Sequence, residues 1–180
     1  VLQVLSALEQ AHEAGIIHRD VKPQNILIGQ NDRAMLGDFG IAWIEESIMA
    51  RAGSTVGTMV FMAPEQHIDS SRVDATVDLY ALCASLYLLL TGETPADLCY
   101  ASPRSPRWEP IPASLQPVLQ RAMHTSPAMR YPSAGALREA LLQALEGLEL
   151  DVVEERPVAS VPDVITVADP GSPVSAPVFN

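Results

Sequence analysis

The sequence of 180 residues has little cysteine, almost no lysine and no long apolar run. Its two cysteines, Cys83 and Cys99, offer neither a disulfide framework nor the paired spacing of a metal site, which fits a reducing cytoplasm. Cys83 lies among apolar residues and reads as a buried thiol. Lys22 is the one lysine, against ten arginines, a hint of a GC-rich genome. Positive charge is scarce: 11 Lys and Arg oppose 22 Asp and Glu, for a net charge of −11. That balance argues against nucleic acid or an anionic membrane as the main partner and suits a cationic peptide better. The longest apolar run, Leu79 to Leu90, is too short to span a bilayer and reads as a buried helix. No signal-peptide pattern opens the chain. The first residue is Val1 rather than Met, so the chain is expected to be an excerpt of a longer protein or to begin at an unusual codon.

What the chain does have is apolar content, 48% of its residues, enough for a sizeable core. There is no internal repeat. Val1, Val4, Leu5, Leu8 and Ala11 follow helical spacing, and Gly15 marks a helix stop. Ile26-Leu27-Ile28 and Ala34-Met35-Leu36 read as short strands around the turn Gln30-Asn31-Asp32, a hairpin. Residues 41–62 are irregular and polar-rich. Asp74 to Leu90 is apolar on nearly every side, hence a buried helix ended by Gly92. Residues 92–113 are proline-rich loop with a short helical turn. Ser114 is expected to cap a helix carrying Leu115, Val118, Leu119, Ala122 and Met123, with Pro117 in its first turn. Ser133 is expected to cap a last helix with Leu137, Leu141 and Leu145 in register. From Glu149 to Asn180 the chain holds six acids, one arginine and five prolines without apolar periodicity, the composition of a disordered tail. The domain reading is therefore a folded unit over residues 1–146 and a tail over 147–180.

Three motifs carry the chemistry: His18-Arg19-Asp20-Val21-Lys22-Pro23-Gln24-Asn25, then Asp38-Phe39-Gly40, then Ala63-Pro64-Glu65. A lone Asp-Phe-Gly is usually a turn, and a lone His-Arg-Asp says little more. In this order and spacing they resemble the signature of protein kinases. Lysine two positions after Asp20 is similar to the serine/threonine branch, and Met62-Ala63-Pro64-Glu65-Gln66 resembles the bacterial one. The resemblance covers roughly residues 1–146. It implies a mainly α, protein-kinase-like fold: a helical C-terminal lobe with a short β-hairpin, the N-terminal lobe absent, and a disordered acidic proline-rich tail.

Phosphoryl transfer asks a protein chiefly for positioning and charge neutralisation. The resemblance implies that Asp20 orients the attacking hydroxyl and accepts its proton, while Lys22 neutralises charge on the transferring group. Asn25 and Asp38 offer oxygen ligands to Mg²⁺ or Mn²⁺. ATP is the implied co-substrate, with Lys22, Asn25, Leu27 and Asp38 around it. Leu27 would form the floor under the adenine, with Ile26 and Ile28 beside it; an ordinary strand-core role is compatible with that. Thr58, after Gly57, would contact the substrate region and bond Asp20 and Lys22. His18 and Phe39 would stack in an internal apolar column, with Gly40 completing the motif. Asp78 would accept backbone hydrogen bonds near His18, and Glu65 would pair with Arg130. Arg19 would receive a phosphate on Ser54 or Thr55, less so Ser47; alternatively these are solvated loop hydroxyls. Cys83 and Phe61 depart from the commoner glycine and tyrosine without implying a dead enzyme.

Within these residues there is no Gly-x-Gly-x-x-Gly loop and no second lysine to hold nucleotide phosphates. The implied partners are therefore ATP, proteins bearing Ser or Thr, and a missing N-terminal lobe. No nucleic acid and no membrane segment within the chain are expected. The location is cytoplasmic, and the tail permits a membrane anchor beyond Asn180. A reading from another class stays open: a truncated, non-catalytic kinase-like binding or scaffolding module.

Overall fold

In a computed structural model, residues 1–38, 59–68, 73–146 and 148 are described. Helix α1 runs Leu2–Glu13 and buries Val4, Leu5 and Leu8, the face set by the i, i+4 spacing. Gly15 follows with φ of 76°, a left-handed turn that glycine adopts without steric cost. Strands β1 (Ile26–Ile28) and β2 (Ala34–Leu36) pair antiparallel with Ile26 opposite Leu36 and Leu27 opposite Met35. The connection is tight because Asn31 and Asp32 both take positive φ, conformations that Asn and Asp tolerate better than other side chains.

Five-residue α2 (Pro64–Ile68) precedes α3 (Thr76–Thr91), the central helix. Residues 76–85 of α3 are all buried, as an all-round apolar helix must be. Gly92 ends it at φ 73°, its N–H donating to the Leu88 carbonyl. Each fully buried leucine of this core, such as Leu79 or Leu82, contributes about 1.5–3 kcal/mol relative to exposure.

Two 3₁₀ turns, Leu98–Tyr100 and Pro106–Trp108, punctuate the proline-rich loop. Arg107 ties it down, its guanidinium donating to the carbonyls of Ala96 and Thr94. Tyr87 of α3 donates its hydroxyl to the Arg107 carbonyl and meets Trp108 edge-to-face at 5.8 Å.

Helix α4 runs Gln116–Ala122 and α5 runs Ala134–Glu146. Ser133 caps α5, its Oγ accepting from the Ala136 N–H at 3.1 Å. The expected cap at Ser114 does not form. Helix α4 starts after Leu115 with no side-chain cap, and the Ser114 hydroxyl is buried without a hydrogen-bond partner. The Leu115 and Gln116 amides instead donate to the Pro112 carbonyl, so a backbone turn enters the helix where a serine cap was expected. Helices α1 and α5 pack together, with α4 between α3 and α5. No helix among the described residues is long and apolar enough to cross a membrane.

Candidate active site

The segment between α1 and β1 carries Asp20, Lys22 and Asn25, and its backbone is held from below by Asp78. Asp78 is completely buried in α3, among apolar neighbours, where an unpaired carboxylate would be costly. Its oxygens accept from the His18 N–H at 2.8 Å, the Arg19 N–H at 2.7 Å and the His12 ring Nε2 at 2.8 Å. Three charge-assisted bonds of this length satisfy the carboxylate and fix the loop to the central helix.

His18 is buried and joins the loop to the strand end. Its Nε2 lies 2.8 Å from the Gly37 carbonyl oxygen, and its Nδ1 lies 3.3 Å from the Asp20 amide nitrogen. A carbonyl can only accept and an amide N–H can only donate. The ring therefore carries its hydrogen on Nε2 and accepts at Nδ1. Arg19, between His18 and Asp20, sits at φ 67°. A non-glycine residue held there stores about 1–3 kcal/mol, and such strain persists only where neighbours enforce it.

The polar cluster follows directly. Lys22 Nζ lies 2.7 Å from Asp20 Oδ2. Asn25, buried, donates from Nδ2 to the Asp20 carbonyl at 2.7 Å and to Asp20 Oδ2 at 3.0 Å. Those bonds commit the amide nitrogen to Asp20 and leave the Asn25 carbonyl oxygen as the atom available to a cation. The Asn25 backbone carbonyl accepts from the Gly37 N–H at 2.8 Å, which brings the end of β2, and Asp38 after it, beside the loop. Asp38 is exposed at φ 57°. An amide oxygen and a carboxylate on neighbouring segments are hard oxygen donors. They fit a divalent cation that keeps most of its ligands as water and phosphate.

Leu27 is 53% exposed and Ile28 is 68% exposed. The strand-core role for Leu27 therefore fails: in the two-stranded sheet of the described residues it stays half exposed, whereas Ile26 is partly buried against the core. Phe39, Gly40, Ser47, Ser54, Thr55, Gly57 and Thr58 lie outside the described residues.

Farther out, Arg130 is 2% exposed and forms a bidentate pair with Glu65, Nη1 to Oε1 at 2.6 Å and Nη2 to Oε2 at 2.7 Å. Its Nε donates to the His124 carbonyl, and its guanidinium lies 5.0 Å from the centre of the Tyr80 ring. The pair ties α2 to the turn before α5. Burial pushes the Tyr80 hydroxyl well above the usual tyrosine range, with the neighbouring Cys99 thiol adding to the effect.

Two residues at this site escaped the sequence reading. His12 reaches Asp78 across 66 positions, which no local pattern announces. Gln66 belongs to a quoted motif but had no role. It stands at the third position of α2, where a long polar side chain can reach back to the helix start.

The protein kinase domain family matches this chain over residues 1–140. Among curated relatives, the serine/threonine-protein kinase PknE of Mycobacterium tuberculosis is 38% identical over 178 residues, covering 90% of this chain and 31% of the relative. PknH of the same species is 40% identical over 164 residues, 84% of this chain and 26% of the relative. The chain thus spans less than a third of these proteins. The crystal structure of the M. tuberculosis PknI kinase domain superposes with a TM-score of 0.60 at 31% identity, over 81% of this chain and 53% of that one. The apo form of PpkA-294 gives 0.64 at 27% identity, over 77% and 51%. A match over most of the chain, relatives at this identity and a shared fold lead to one assignment: the chain belongs to the protein kinase domain family, among bacterial serine/threonine-protein kinases.

Proposed function

We propose that residues 1–146 are the C-terminal lobe of a kinase catalytic domain that transfers a phosphoryl group from ATP to Ser and Thr hydroxyls of proteins. The observation that carries this reading is the Asp20 carboxylate gripped by Lys22 and Asn25 beside the segment that delivers Asp38. A substrate hydroxyl donating to Asp20 is turned toward the γ-phosphoryl group and gives that carboxylate its proton as the new P–O bond forms and the bond to the bridging oxygen breaks, releasing ADP. Lys22 offsets negative charge on the transferring group. Asn25 and Asp38 are the residues that would hold Mg²⁺ or Mn²⁺. The cation, when bound, supplies neutralisation of phosphate charge. The exposed Leu27 offers an apolar face to the adenine.

In this reading a second lobe closes over the nucleotide, since nothing in the 180 residues supplies a glycine-rich loop or a phosphate-holding lysine beyond Lys22. Residues 149–180 form an acidic, proline-rich tail by composition, and the lobe works in a reducing cytoplasm. Thr58 contacts the substrate region. A phosphate on Ser54 or Thr55 pairs with Arg19.

The test is phosphoryl transfer by the complete kinase with Mg²⁺-ATP and a basic protein substrate. Transfer that disappears in Asp20→Asn while nucleotide binding survives supports the reading. Transfer at the wild-type rate in that variant refutes it. Mass spectrometry after incubation with ATP should find phosphate on Ser54 or Thr55. A fully active kinase with alanine at both positions refutes the regulatory part.

A further inference from the structure

Gln66 makes two hydrogen bonds in opposite directions. Its Oε1 accepts from the Ala63 N–H at 3.0 Å, the backward half of a capping box at the start of α2. Its Nε2 donates to the Arg19 carbonyl at 3.0 Å, across 47 positions of sequence. The first bond needs only an acceptor, and glutamate serves as well as glutamine there. The second needs a donor, which glutamate lacks at neutral pH.

The carbonyl it holds is not an ordinary one. Arg19 has φ of 67°, and its carbonyl belongs to the peptide whose N–H is that of Asp20. On the other side of Arg19, the N–H is taken by Asp78 at 2.7 Å. The left-handed residue is therefore gripped on both flanks, by a carboxylate from α3 and an amide from α2. The Asp20 N–H in turn donates to His18, so the rotation of this peptide sets where the Asp20 side chain points.

We propose that Gln66 is a positioning residue for Asp20. It clamps the strained Arg19 peptide and couples the placement of α2 to the orientation of the Asp20 carboxylate. Glutamine, rather than glutamate, is required because one side chain must accept from Ala63 and donate to Arg19 together. The inference rests on the kinase reading for its consequence in turnover, but the clamp itself is a property of the fold.

Two variants of the complete kinase separate the bonds. Gln66→Met keeps the length and helix preference and removes both. Gln66→Glu keeps the bond to Ala63 and sets a carboxylate against the Arg19 carbonyl. The expected result is a fall in kcat of about tenfold or more in both variants, with KM for ATP within about twofold of wild type, per folded molecule. Amide hydrogen exchange in a peptide spanning residues 18–20 should accelerate while the α3 peptides stay unchanged. Wild-type kcat in Gln66→Glu would show that capping α2 is the whole role and overturn the proposal. So would unchanged exchange at residues 18–20 in both variants. If the wild-type kinase itself transfers no phosphate, the kinase reading fails, and the exchange measurement still decides the clamp.

Discussion

Asp20, Lys22 and Asn25 hold one another in place. Asp20 is held by an ammonium and an amide, which together fix its direction. Asp20→Asn removes the proposed proton acceptor and keeps the shape. In the complete kinase we expect kcat to fall by about 10²–10⁴, the usual contribution of a positioned base. Steady-state transfer measured beside nucleotide binding checks this, and binding should survive. Asp38 is proposed to act on the cation instead. Asp38→Asn removes the one charged oxygen of the proposed cation pair, so half-maximal activity should need about tenfold more Mg²⁺. A Mg²⁺ titration that overlays the wild-type curve would contradict that role.

The elements are held together by a few long-range polar ties. Arg130 joins the turn before α5 to α2 through a bidentate pair whose arginine is buried and whose glutamate is mostly so. Arg130→Ala leaves the largely buried Glu65 without its charged partner, and the cost should be about 3–5 kcal/mol. Denaturant unfolding of the complete kinase reads it, and an unchanged midpoint would mean the pair is too well solvated to matter. Helix α3 makes a second expectation. Burial pushes the Cys83 thiol up to about 12, so it carries almost no thiolate at about pH 8. Cys99 is partly exposed at the loop after α3. Iodoacetamide under native conditions should label Cys99 well before Cys83, with Cys83 reacting only after unfolding. Peptide mass spectrometry distinguishes the order.

At the scale of the whole molecule, the described residues supply only part of the proposed site. The described residues bring together Asp20, Lys22, Asn25 and the chain leading to Asp38. They leave Leu27 and Ile28 facing outward from a sheet of two strands. Phosphoryl transfer depends on alignment of donor and acceptor, and a nucleotide resting on one wall is not aligned. The 180 residues alone, given Mg²⁺-ATP and a basic substrate, should therefore transfer phosphate at least about 10³-fold more slowly than the complete kinase. Comparable turnover would remove the need for a second lobe.

What the sequence by itself determined is whatever depends on residues close together along the chain. Hydrophobic periodicity placed α1 and α5, all-round apolarity placed α3, and Asn31-Asp32 placed the hairpin turn, because backbone conformation at those points answers to local side chains. The three motifs identified the family and nominated Asp20, Lys22, Asn25 and Asp38 for the same reason: each role is tied to a residue type at short spacing. Ser114 shows where local reasoning stops, since a backbone turn from Pro112 took the entry that a serine cap was expected to fill. The tertiary structure alone decided that His12 reaches Asp78, that Leu27 faces outward, and that Gln66 spans from Ala63 to the Arg19 carbonyl. The His12–Asp78 and Gln66–Arg19 contacts join segments dozens of residues apart. They exist only after the helices have packed, when a buried carboxylate or a strained peptide must take its hydrogen bonds from whatever the fold brings within about 3 Å.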